Sequence, residues 1–583
     1  MRKIYTTMVS ALLPLLLFAQ GWPAQYGGVM MQGFAWDSYA DSRWSVLEAQ
    51  ADELGEYFDL LWVPNSGYCG TMQNNMGYHP MYWFRHEGAF GSEQQLRSMI
   101  QTLRQKGVGV IEDVVINHRV GTSNWCDFPS ETWQGSTYQL GLADICQDDE
   151  CAKNGYKPTG AKDTGEPWNY ARDLDHTSQN VQQNVIGYER FLLNDLGYVG
   201  FRYDFVKGFA PRYVGLYNST TQPTYSVGEC WDGVTTIKNW IDGTKTDGVI
   251  QSAAFDFPMK YNINDAFSNG GNWGKLNNQC LTSLEGYDRY SVTFIDNHDT
   301  YRTDGDGGAP LKANIEAANA YLLTMPGTPC VFLRHWQMYK TPIKKMIFVR
   351  RAAGITNQSH VAMRYAHSNG YVLKVDGTKG GVMLILGNPP GVDYSGYQKA
   401  TEGENYALYV AQGVDVTGID DIKDIVSTWT APSFCTPEEG KLYAFFEVTE
   451  SVWSQTVKCW CWNGQKNFTG GSWPGATCTK VGTTDKGNAV WKWTGPATTE
   501  GTPTGIIFSS NGSPQTTDLE FVNGGYYTIT GLQGVVDGSQ SGIANVASPA
   551  AHDGHAYTVD GRQAASTLRR GLYIQNGRKI IVK

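Results

Sequence analysis

Eight short apolar runs that alternate with helical patterns constrain the fold of this chain more than any other feature of its sequence. Between residues 28 and 333 these runs are VMMQGFAW, FDLLWVP, VGVIEDVVI, GFRYDF, TYSVGE, SAAFDF, VTFID and PCVFL. Between the runs, apolar residues recur three and four positions apart, as at Leu96, Ile100 and Leu103, which is typical of a buried helix face. Buried strands that alternate with helices form a parallel sheet, and eight such strands close a barrel. We therefore predict an α/β fold, a (β/α)8 TIM barrel.

The rest of the chain divides into smaller segments. The connection from Asn117 to Asp173 is much longer than the others, which predicts a small domain inserted in a loop. Alternating patterns after the barrel predict all-β C-terminal domains, described here as β-sandwiches. A chain of 583 residues has room for roughly three to five domains. The predicted segments are a signal peptide at 1–20, the barrel at 21–355 with its insert at about 118–173, a β-rich domain and linker at 356–440, a β-sandwich at 441–530, a linker at 531–551 and a tail at 552–583.

The first twenty residues read MRKIYTTMVSALLPLLLFAQ, with a positive start, an apolar centre and a small residue near a cleavage point. This pattern predicts a secretory signal peptide, which is too short to cross a bilayer. No later stretch reaches transmembrane length, so we expect a soluble, secreted protein. We also expect it to be a monomer.

The chain contains 11 cysteines, and export would place them where disulfides form, with at least one unpaired because the count is odd. Cys146 and Cys151 could bridge a loop, although the pairing cannot be read from the sequence. Cys459 and Cys461 alternate along a predicted strand, and we expect them to point to opposite faces, which argues against a compact metal site.

Charge and aromatic content indicate which ligands suit the surface. The formal charge is −10 and only 17% of residues are charged, which argues against nucleic acid because phosphate neutralisation needs clustered Lys and Arg. Aromatic residues make up 13% of the chain, with 19 Trp and 33 Tyr. Such a surface suits neutral, ring-shaped ligands such as sugars, while a large core with β-sheet would account for the same composition.

Three carboxylates follow the predicted fourth, fifth and seventh barrel strands: Asp204, Glu229 and Asp299. Residues past the carboxyl ends of barrel strands converge on one pocket. Retaining glycoside hydrolysis needs such a set, with one carboxylate as nucleophile and a protonated one as acid about 5–5.5 Å away. Arg202 precedes Asp204 by two positions, so both side chains leave the strand on one face. The alternative, that each carboxylate caps the following helix, is reasonable for any one of them and weak for all three.

Four motifs carry a family resemblance: DVVINH (113–118), GFRYDFVKG (200–208), VGEC (227–230) and FIDNHD (294–299). In order and spacing they resemble the signature regions of the α-amylase family, glycoside hydrolase family 13, over residues 25–410. The resemblance implies hydrolysis of α-1,4-glucosidic bonds in starch and related glucans with retention. It further implies that Asp204 is the nucleophile and Glu229 the acid/base, while Asp299 stabilises the distorted, oxocarbenium-like sugar.

The same resemblance implies further contacts to the substrate. Residues similar to the family's substrate-binding set are Arg202, His118, His298, Tyr78 and Lys207. The pair Lys207-Gly208, with ICQDD (145–149) and KDTG…RDLDH (162–176), is similar to the plant-type variant of the family. Lys207 would contact glucose on the leaving-group side, although a surface lysine is the alternative.

A structural calcium ion (Ca2+) between barrel and insert is also implied by the resemblance. Its ligands would be the side chains of Asn117, Asp163 and Asp173 and the backbone carbonyls of Glu166 and Gly208. Oxygen-rich loops suit this hard cation, which takes 6–8 oxygen ligands. The alternative is a solvated acidic loop.

A tryptophan-rich segment follows, VKCWCWNGQKNFTGGSWPG. Trp460 and Trp462 share one face of a predicted strand, and Trp473 follows. Their spacing resembles the aromatic triad of starch-binding modules of carbohydrate-binding family 26, which implies a second contact with starch; otherwise these rings belong to a core. The final stretch, from residue 552, resembles a type IX secretion sorting domain, which would attach the protein to the cell surface, or it is a plain β fragment.

Two other functions compete with a starch hydrolase. A transglycosylase or maltooligosaccharide-forming enzyme of the same family would use the same covalent intermediate with another acceptor or product length. A non-catalytic starch-capture protein would lack a member of the carboxylate trio, and all three are present.

Overall fold

The computed structural model describes residues 21–39, 41–268, 271–302, 307–422, 431–449, 453, 456–464, 466–484, 487–516, 518–529, 531–536, 556–558, 571–575 and 578–582. The predicted signal peptide lies outside these residues. The chain divides into two compact units, Met1–Ile425 and Val426–Lys583, and each is described by itself. Among the described residues, no helix combines the length and the apolarity that crossing a membrane requires.

Eight parallel strands form a closed barrel in the first unit, as predicted. They are β1 (Met30–Gln32), β2 (Leu60–Val63), β3 (Gly109–Val114), β4 (Gly200–Tyr203), β5 (Tyr225–Gly228), β6 (Ala253–Phe255), β7 (Ser291–Phe294) and β8 (Thr328–Phe332). Each strand pairs with its neighbours in chain order, and β1 closes the ring by pairing with β8. Every residue of these strands is buried except Gly109 and Tyr225, which are partly buried. The α/β barrel fold is therefore established.

Helices follow the strands and cover the barrel. They are α1 (Trp44–Ala49), α2 (Ala51–Tyr57), α3 (Glu93–Gln105), α4 (Gln179–Phe191), α5 (Arg212–Thr221), α6 (Val234–Gly243), α7 (Phe257–Phe267), α8 (Ile315–Thr324), α9 (Leu333–Met338) and α10 (Lys340–Ala353). Local sequence sets where they begin: Ser92 and Gln95 form a capping box on α3, and Asp256 caps α7. These caps satisfy backbone N–H groups that have no partner in a helix's first turn.

The long connection between β3 and β4 contains two short antiparallel ladders rather than a sheet of its own. His118–Arg119 pairs with Arg172–Asp173, and Glu131–Trp133 pairs with Ser136–Tyr138. The Arg172 guanidinium lies 3.6 Å from the ring centre of Trp125. Since His118 is opposite Asp173, the two ends of the insert meet beside the carboxyl end of β3.

A five-stranded antiparallel sheet completes the first unit. Its strands are β9 (Val361–His367), β10 (Gly370–Gly377), β11 (Gly380–Gly387), β12 (Tyr397–Gly403) and β13 (Tyr406–Ala411), in the order β9-β10-β11-β13-β12. β11 contacts α8 and α10, so one face of the sheet shares the core of the barrel.

Among its described residues, the second unit contains three sheets. The first consists of β14 (Lys441–Glu447), β18 (Thr479–Thr483), β19 (Ala489–Ala497), β22 (Gly525–Thr528) and β23 (Gly531–Val535). The second consists of β15 (Lys458–Asn463), β16 (Lys466–Asn467), β17 (Ala476–Thr477), β20 (Gly505–Ser509) and β21 (Leu519–Glu520). Phe446 of the first sheet and Phe508 of the second stack with ring centres 4.7 Å apart, so the inner faces share one core. A further three-stranded sheet consists of β24 (Ala556–Thr558), β25 (Gly571–Gln575) and β26 (Arg578–Val582).

Two sequence predictions for this unit need correction. Residues 531–535, which were predicted to begin a linker, instead form the strand Gly531–Val535 paired with β22. Cys459 and Cys461 do not point to opposite faces: both are buried in one core, with their sulfur atoms 3.5 Å apart. Residues two apart on a strand share a face, so the spacing itself predicts what the structure contains. All eleven cysteines are free thiols, and the thiol of Cys151 contacts that of Cys126.

Candidate active site

Arg202 on β4 joins three carboxylates at the carboxyl end of the barrel. Its Nη1 lies 2.5 Å from Asp113 Oδ1 and 2.7 Å from Asp204 Oδ1, and its Nη2 lies 2.7 Å from Glu229 Oε1. The Arg202 side chain is only 1% exposed. Because Asp113, Asp204 and Glu229 belong to the ends of β3, β4 and β5, one buried guanidinium sets the relative positions of three neighbouring strand ends.

Asp299 approaches this cluster from the loop after β7. Its Oδ2 lies 3.2 Å from Nε2 of His298, and its backbone N–H donates to Asn297 Oδ1 at 3.0 Å. The other ring nitrogen of His298, Nδ1, is 3.0 Å from Nε2 of Gln32 on β1. An amide N–H donated to Nδ1 leaves Nε2 as the protonated nitrogen, so His298 presents an N–H toward Asp299 and Tyr78. Asp299 retains 25% side-chain exposure and can reach a ligand.

Tyr78 links Asp113 of the carboxylate cluster to His298. Its hydroxyl donates to Asp113 Oδ2 at 2.9 Å and lies 2.6 Å from His298 Nε2. Its ring is nearly parallel to those of Trp36 and His298, with ring centres 5.9 Å and 5.4 Å away. The structure therefore brings Tyr78 to the carboxylates as part of an aromatic wall.

Burial sets the charge states of the cluster. It raises the pKa of Glu229 to about 8, with Asp204 adding to the rise and Arg202 opposing it. It also raises the pKa of Asp299 and brings that of Asp113 to about 7. Burial and the charge of Arg202 hold the pKa of His298 well below its usual range. The site thus holds a neutral imidazole and a proton on Glu229 at neutral pH, beside an Asp204 that is paired with a cation.

The backbone at Phe205 helps to place Glu229. Phe205 has φ 42° and ψ 52°, a left-handed conformation that costs roughly 1–2 kcal/mol for a non-glycine residue. This conformation directs its N–H to Glu229 Oε2 at 3.2 Å. The Phe205 ring packs against Trp168 of the insert, with ring centres 5.1 Å apart. Phe205, the strained residue directly after Asp204, therefore contacts both the Glu229 carboxylate and Trp168 of the insert.

His118 and Lys207 connect the insert to the site. His118 Nε2 lies 2.8 Å from the Tyr78 carbonyl, and its ring stacks on Trp168 at 5.5 Å. Burial lowers the pKa of His118. Lys207 Nζ lies 3.0 Å from Glu166 Oε1 and 3.1 Å from Asp232 Oδ2. Lys207 is thus held between the insert and the loop after β5 and is not a free surface lysine.

Sequence reasoning missed Asp113, Trp36, Trp168 and Phe205. Asp113 opens the DVVINH motif and lies in a buried strand, so a charged residue in an apolar run was an available signal. For Trp36, Trp168 and Phe205 no local pattern distinguishes them from core aromatics, because their roles depend on contacts between distant loops.

The predicted calcium ligands lie close together. Asp173 Oδ1 accepts from Asn117 Nδ2 at 3.0 Å, and both residues are almost completely buried. A Cβ on Gly208 would lie 2.1 Å from Asn117 Oδ1, so only glycine allows that approach. Asp163 Oδ2 is buried without a hydrogen-bond partner. Burial and neighbouring carboxylates raise the pKa of Asp173 to about 8. In the part of the chain that the structure describes, no three His, Cys, Asp or Glu side chains are grouped to hold a metal; the predicted set has two carboxylates.

The three predicted tryptophans of the second unit line one open groove. Trp460 and Trp473 have ring centres 6.2 Å apart, and Trp473 is 41% exposed. The groove has a volume of about 480 Å³. Its lining comprises Trp460, Trp462, Gly464, Lys466, Asn467, Trp473, Ile507, Gln515 and Asp518. Phe468, in contrast, is buried in the core.

Comparison with known proteins identifies relatives that match about two thirds of the chain. No family model matches the chain. It is 31% identical over 407 residues to probable alpha-amylase 2 of Arabidopsis thaliana, covering 65% of this chain and 93% of that protein. It is 29% identical over 419 residues to glucan 1,4-alpha-maltotetraohydrolase of Stutzerimonas stutzeri, covering 65% of this chain and 73% of that protein.

Among solved structures, an α-amylase from Malbranchea cinnamomea aligns with 67% of this chain and 96% of its own length, at 16% identity and a TM-score of 0.46. The family assignment depends on the sequence relatives, because the Arabidopsis protein is matched along nearly its whole length. The chain belongs to the α-amylase family of glycoside hydrolases.

Proposed function

We propose that this protein is a retaining endo-hydrolase of α-1,4-glucosidic bonds in starch, with Asp204 as nucleophile and Glu229 as acid/base. The observation that carries the proposal is the contact of one Arg202 guanidinium with both carboxylates, at 2.7 Å each. Inverting enzymes keep their two carboxyl groups about 6.5–9.5 Å apart to admit a water, and retaining enzymes about 5–5.5 Å. Two carboxylates that share one guanidinium favour the closer, retaining arrangement.

The reaction would run in two steps. Protonated Glu229 donates its proton to the glycosidic oxygen while Asp204 attacks the anomeric carbon, which forms a glycosyl–enzyme ester and releases the leaving chain. Glu229, now ionised, takes a proton from water, and the hydroxyl oxygen attacks the anomeric carbon and frees Asp204. Arg202 keeps Asp204 paired with a cation, whereas burial keeps the proton on Glu229. A carboxyl group whose surroundings keep it protonated at neutral pH is the pattern expected for the acid.

The other residues would hold the sugar at the point of cleavage. Asp299 would accept hydrogen bonds from sugar hydroxyls and stabilise positive charge at the anomeric carbon. His298 and His118, which burial keeps neutral, would orient hydroxyls, and the Tyr78 ring would pack beneath the sugar. Lys207 would contact glucose on the leaving-group side; its ion pairs with Glu166 and Asp232 fix it in position.

A calcium ion would hold the insert against the barrel. Its ligands would be Asn117, Asp163 and Asp173 with the carbonyls of Glu166 and Gly208; the unpartnered oxygen of Asp163 and the close approach allowed by Gly208 support the set. When bound, the ion supplies positive charge that neutralises the insert's buried carboxylates. We also propose that the chain is of the plant-type variant of the family.

The second unit would act as a starch-binding module similar to carbohydrate-binding family 26. Trp460, Trp462 and Trp473 would stack on the apolar faces of glucose units, and polar residues of the groove would bond hydroxyls. A tethered module raises the effective concentration of an insoluble substrate at the enzyme.

Export is proposed from sequence alone. A signal peptide at 1–20 would direct secretion of a monomer, and the tail from residue 552 would attach it to the cell surface; the side chains of that tail lie outside the described residues.

The test is product analysis on soluble starch over time for wild type, Glu229→Gln and Asp204→Asn. We expect a rapid rise of reducing ends and a broad range of oligosaccharides for wild type, and at least about a hundredfold less for each variant. A wild type that makes mainly longer transfer products would be a transglycosylase, and one that releases a single short oligosaccharide would act like the maltotetraohydrolase relative. No release above that of Glu229→Gln would leave only the starch-capture function.

A further inference from the structure

A buried ion pair joins the two ends of the loop that carries Asp299. Asp296 stands at the start of this loop, and its Oδ1 lies 3.0 Å from Lys260 Nζ. At the other end, Lys260 donates to the Ala309 carbonyl at 2.8 Å, while the Leu311 N–H donates to Asp296 Oδ2 at 3.2 Å. Both charged side chains are 0% exposed. The pair therefore clamps the loop at its base.

Elements on both sides of the loop hold this clamp. Lys260 belongs to α7, which follows β6, and also donates to Asn264 Oδ1 on the same helix at 3.1 Å. His335 belongs to α9, which follows β8, and its Nε2 lies 3.2 Å from Asp296 Oδ2. Asn264 Nδ2 donates to the Ala309 carbonyl at 2.5 Å. The connections after three consecutive strands therefore meet at the Asp296 carboxylate.

The clamp lies next to catalytic groups without being one of them. Asp296 is three residues before Asp299 and two before His298, and the backbone N–H of Ala309 donates to the Thr300 carbonyl at 2.8 Å. A buried ion pair adds little stability compared with apolar residues of similar volume. What it does add is a fixed direction for the Ala309 carbonyl and the Leu311 N–H, and hence for the turn between them.

We propose that Lys260, Asp296 and His335 are positioning residues that hold the Asp299 loop in its reactive geometry. The inference rests on the proposed role of Asp299. A displacement of about 1 Å in a reacting group can cost about a hundredfold in rate. We therefore expect that a loop no longer held at its base would lower kcat strongly and change KM less.

The test compares two pairs of substitutions. Lys260→Met with Asp296→Asn removes both charges of the clamp, so neither is left buried alone. The matched control is Lys344→Met with Glu53→Gln, because Lys344 and Glu53 form another ion pair, 2.6 Å apart, with 0% and 10% side-chain exposure. This second pair joins α10 to α2 on the outside of the barrel. For each protein we would measure the thermal midpoint, and kcat and KM on maltoheptaose well below the lowest midpoint.

We expect kcat to fall about 10- to 100-fold in the clamp variant, with KM changed less than about threefold, and the control to keep its kcat within about twofold. A milder variant, His335→Phe, keeps the ion pair and should lose about threefold to tenfold in kcat. Equal kcat losses in clamp and control variants would overturn the proposal, as would a folded clamp or His335→Phe variant with wild-type kcat. Asp299→Asn distinguishes failure of the proposed function from failure of the clamp proposal. If Asp299→Asn is fully active, the proposed function is wrong. If Asp299→Asn is inactive while the clamp variants keep wild-type kcat, only the clamp proposal is wrong.

Discussion

Glu229 should carry a proton at neutral pH, and loss of that proton should set the alkaline limit of catalysis. Burial raises its pKa from an ordinary 4.5 to about 8, and the nearby Asp204 carboxylate acts in the same direction. An acid with a pKa of 8 is about 90% protonated at pH 7, whereas one with a pKa of 4.5 is about 0.3% protonated. The fold thus increases the protonated fraction of Glu229 about 300-fold at that pH.

The assay is kcat/KM on maltoheptaose between about pH 5 and about pH 10. Because the proposed reaction needs the protonated form of Glu229, the rate should fall tenfold per pH unit above the pKa of Glu229, with a midpoint near 8. An aryl maltoside with a nitrophenolate leaving group needs no proton. We therefore expect Glu229→Gln to lose about 10²–10⁴-fold on maltoheptaose and much less in ester formation from the aryl substrate.

Glu189 provides a matched control. It is a second buried glutamate whose pKa burial raises to about 8, and its oxygens accept from Tyr203 and Thr221 at 2.8 Å and 2.9 Å. Glu189→Gln should leave the alkaline limb where it is. A wild-type limb with a midpoint near 5, or a limb that moves in Glu189→Gln, would refute the assignment of the proton to Glu229. So would equal losses of Glu229→Gln on both substrates.

Three further predictions concern separate parts of the molecule. Replacing Trp460 and Trp462 by alanine should weaken binding to insoluble starch at least about tenfold and leave maltoheptaose turnover unchanged. A starch pull-down measures the binding and a maltoheptaose assay measures the turnover. Equal loss in both would mean that the rings are core residues. Excess chelator should lower the thermal midpoint by several degrees, because the carboxylates of Asp163 and Asp173 would be left without their cation; calorimetry with calcium added back checks this, and an unchanged midpoint counts against the ion. Tyr78→Phe removes the hydroxyl that contacts Asp113 and His298, so kcat/KM should fall about tenfold; steady-state kinetics measures it, and a wild-type value would mean that only the ring matters.

Much of the barrel follows from local sequence. All eight apolar runs became strands, because residues buried on both faces of a parallel sheet leave a continuous apolar signal. Asp204, Glu229 and Asp299 could be selected from the sequence, because residues that directly follow barrel strands come together at one end of the barrel. The same kind of reasoning failed for Cys459 and Cys461, where the period of two was misapplied to the faces of one strand.

Contacts between distant loops were beyond that reasoning. Trp168 stacks on His118 across 50 positions of the chain, and Lys260 meets Asp296 across 36. The spacing of these pairs along the chain does not distinguish Trp168 or Lys260 from the other tryptophans or lysines. Such contacts depend on how the connections fold over the barrel end, which no periodic pattern records.

By itself, the sequence determined that Asp204, Glu229 and Asp299 reach the end of the barrel, since strand order and side-chain direction follow from local pattern. Asp113 was recognised as part of this cluster only in the structure. The tertiary structure decided the surroundings of each of them. Glu229 and Asp204 are both acidic side chains at strand ends, and Arg202 contacts both. Glu229 retains a proton because it is buried beside another negative charge. Since a pKa measures the free energy of a charge in its surroundings, the protonation of Glu229 depends on the folded structure, whereas the proposed roles of acid and nucleophile are implied by the sequence motifs.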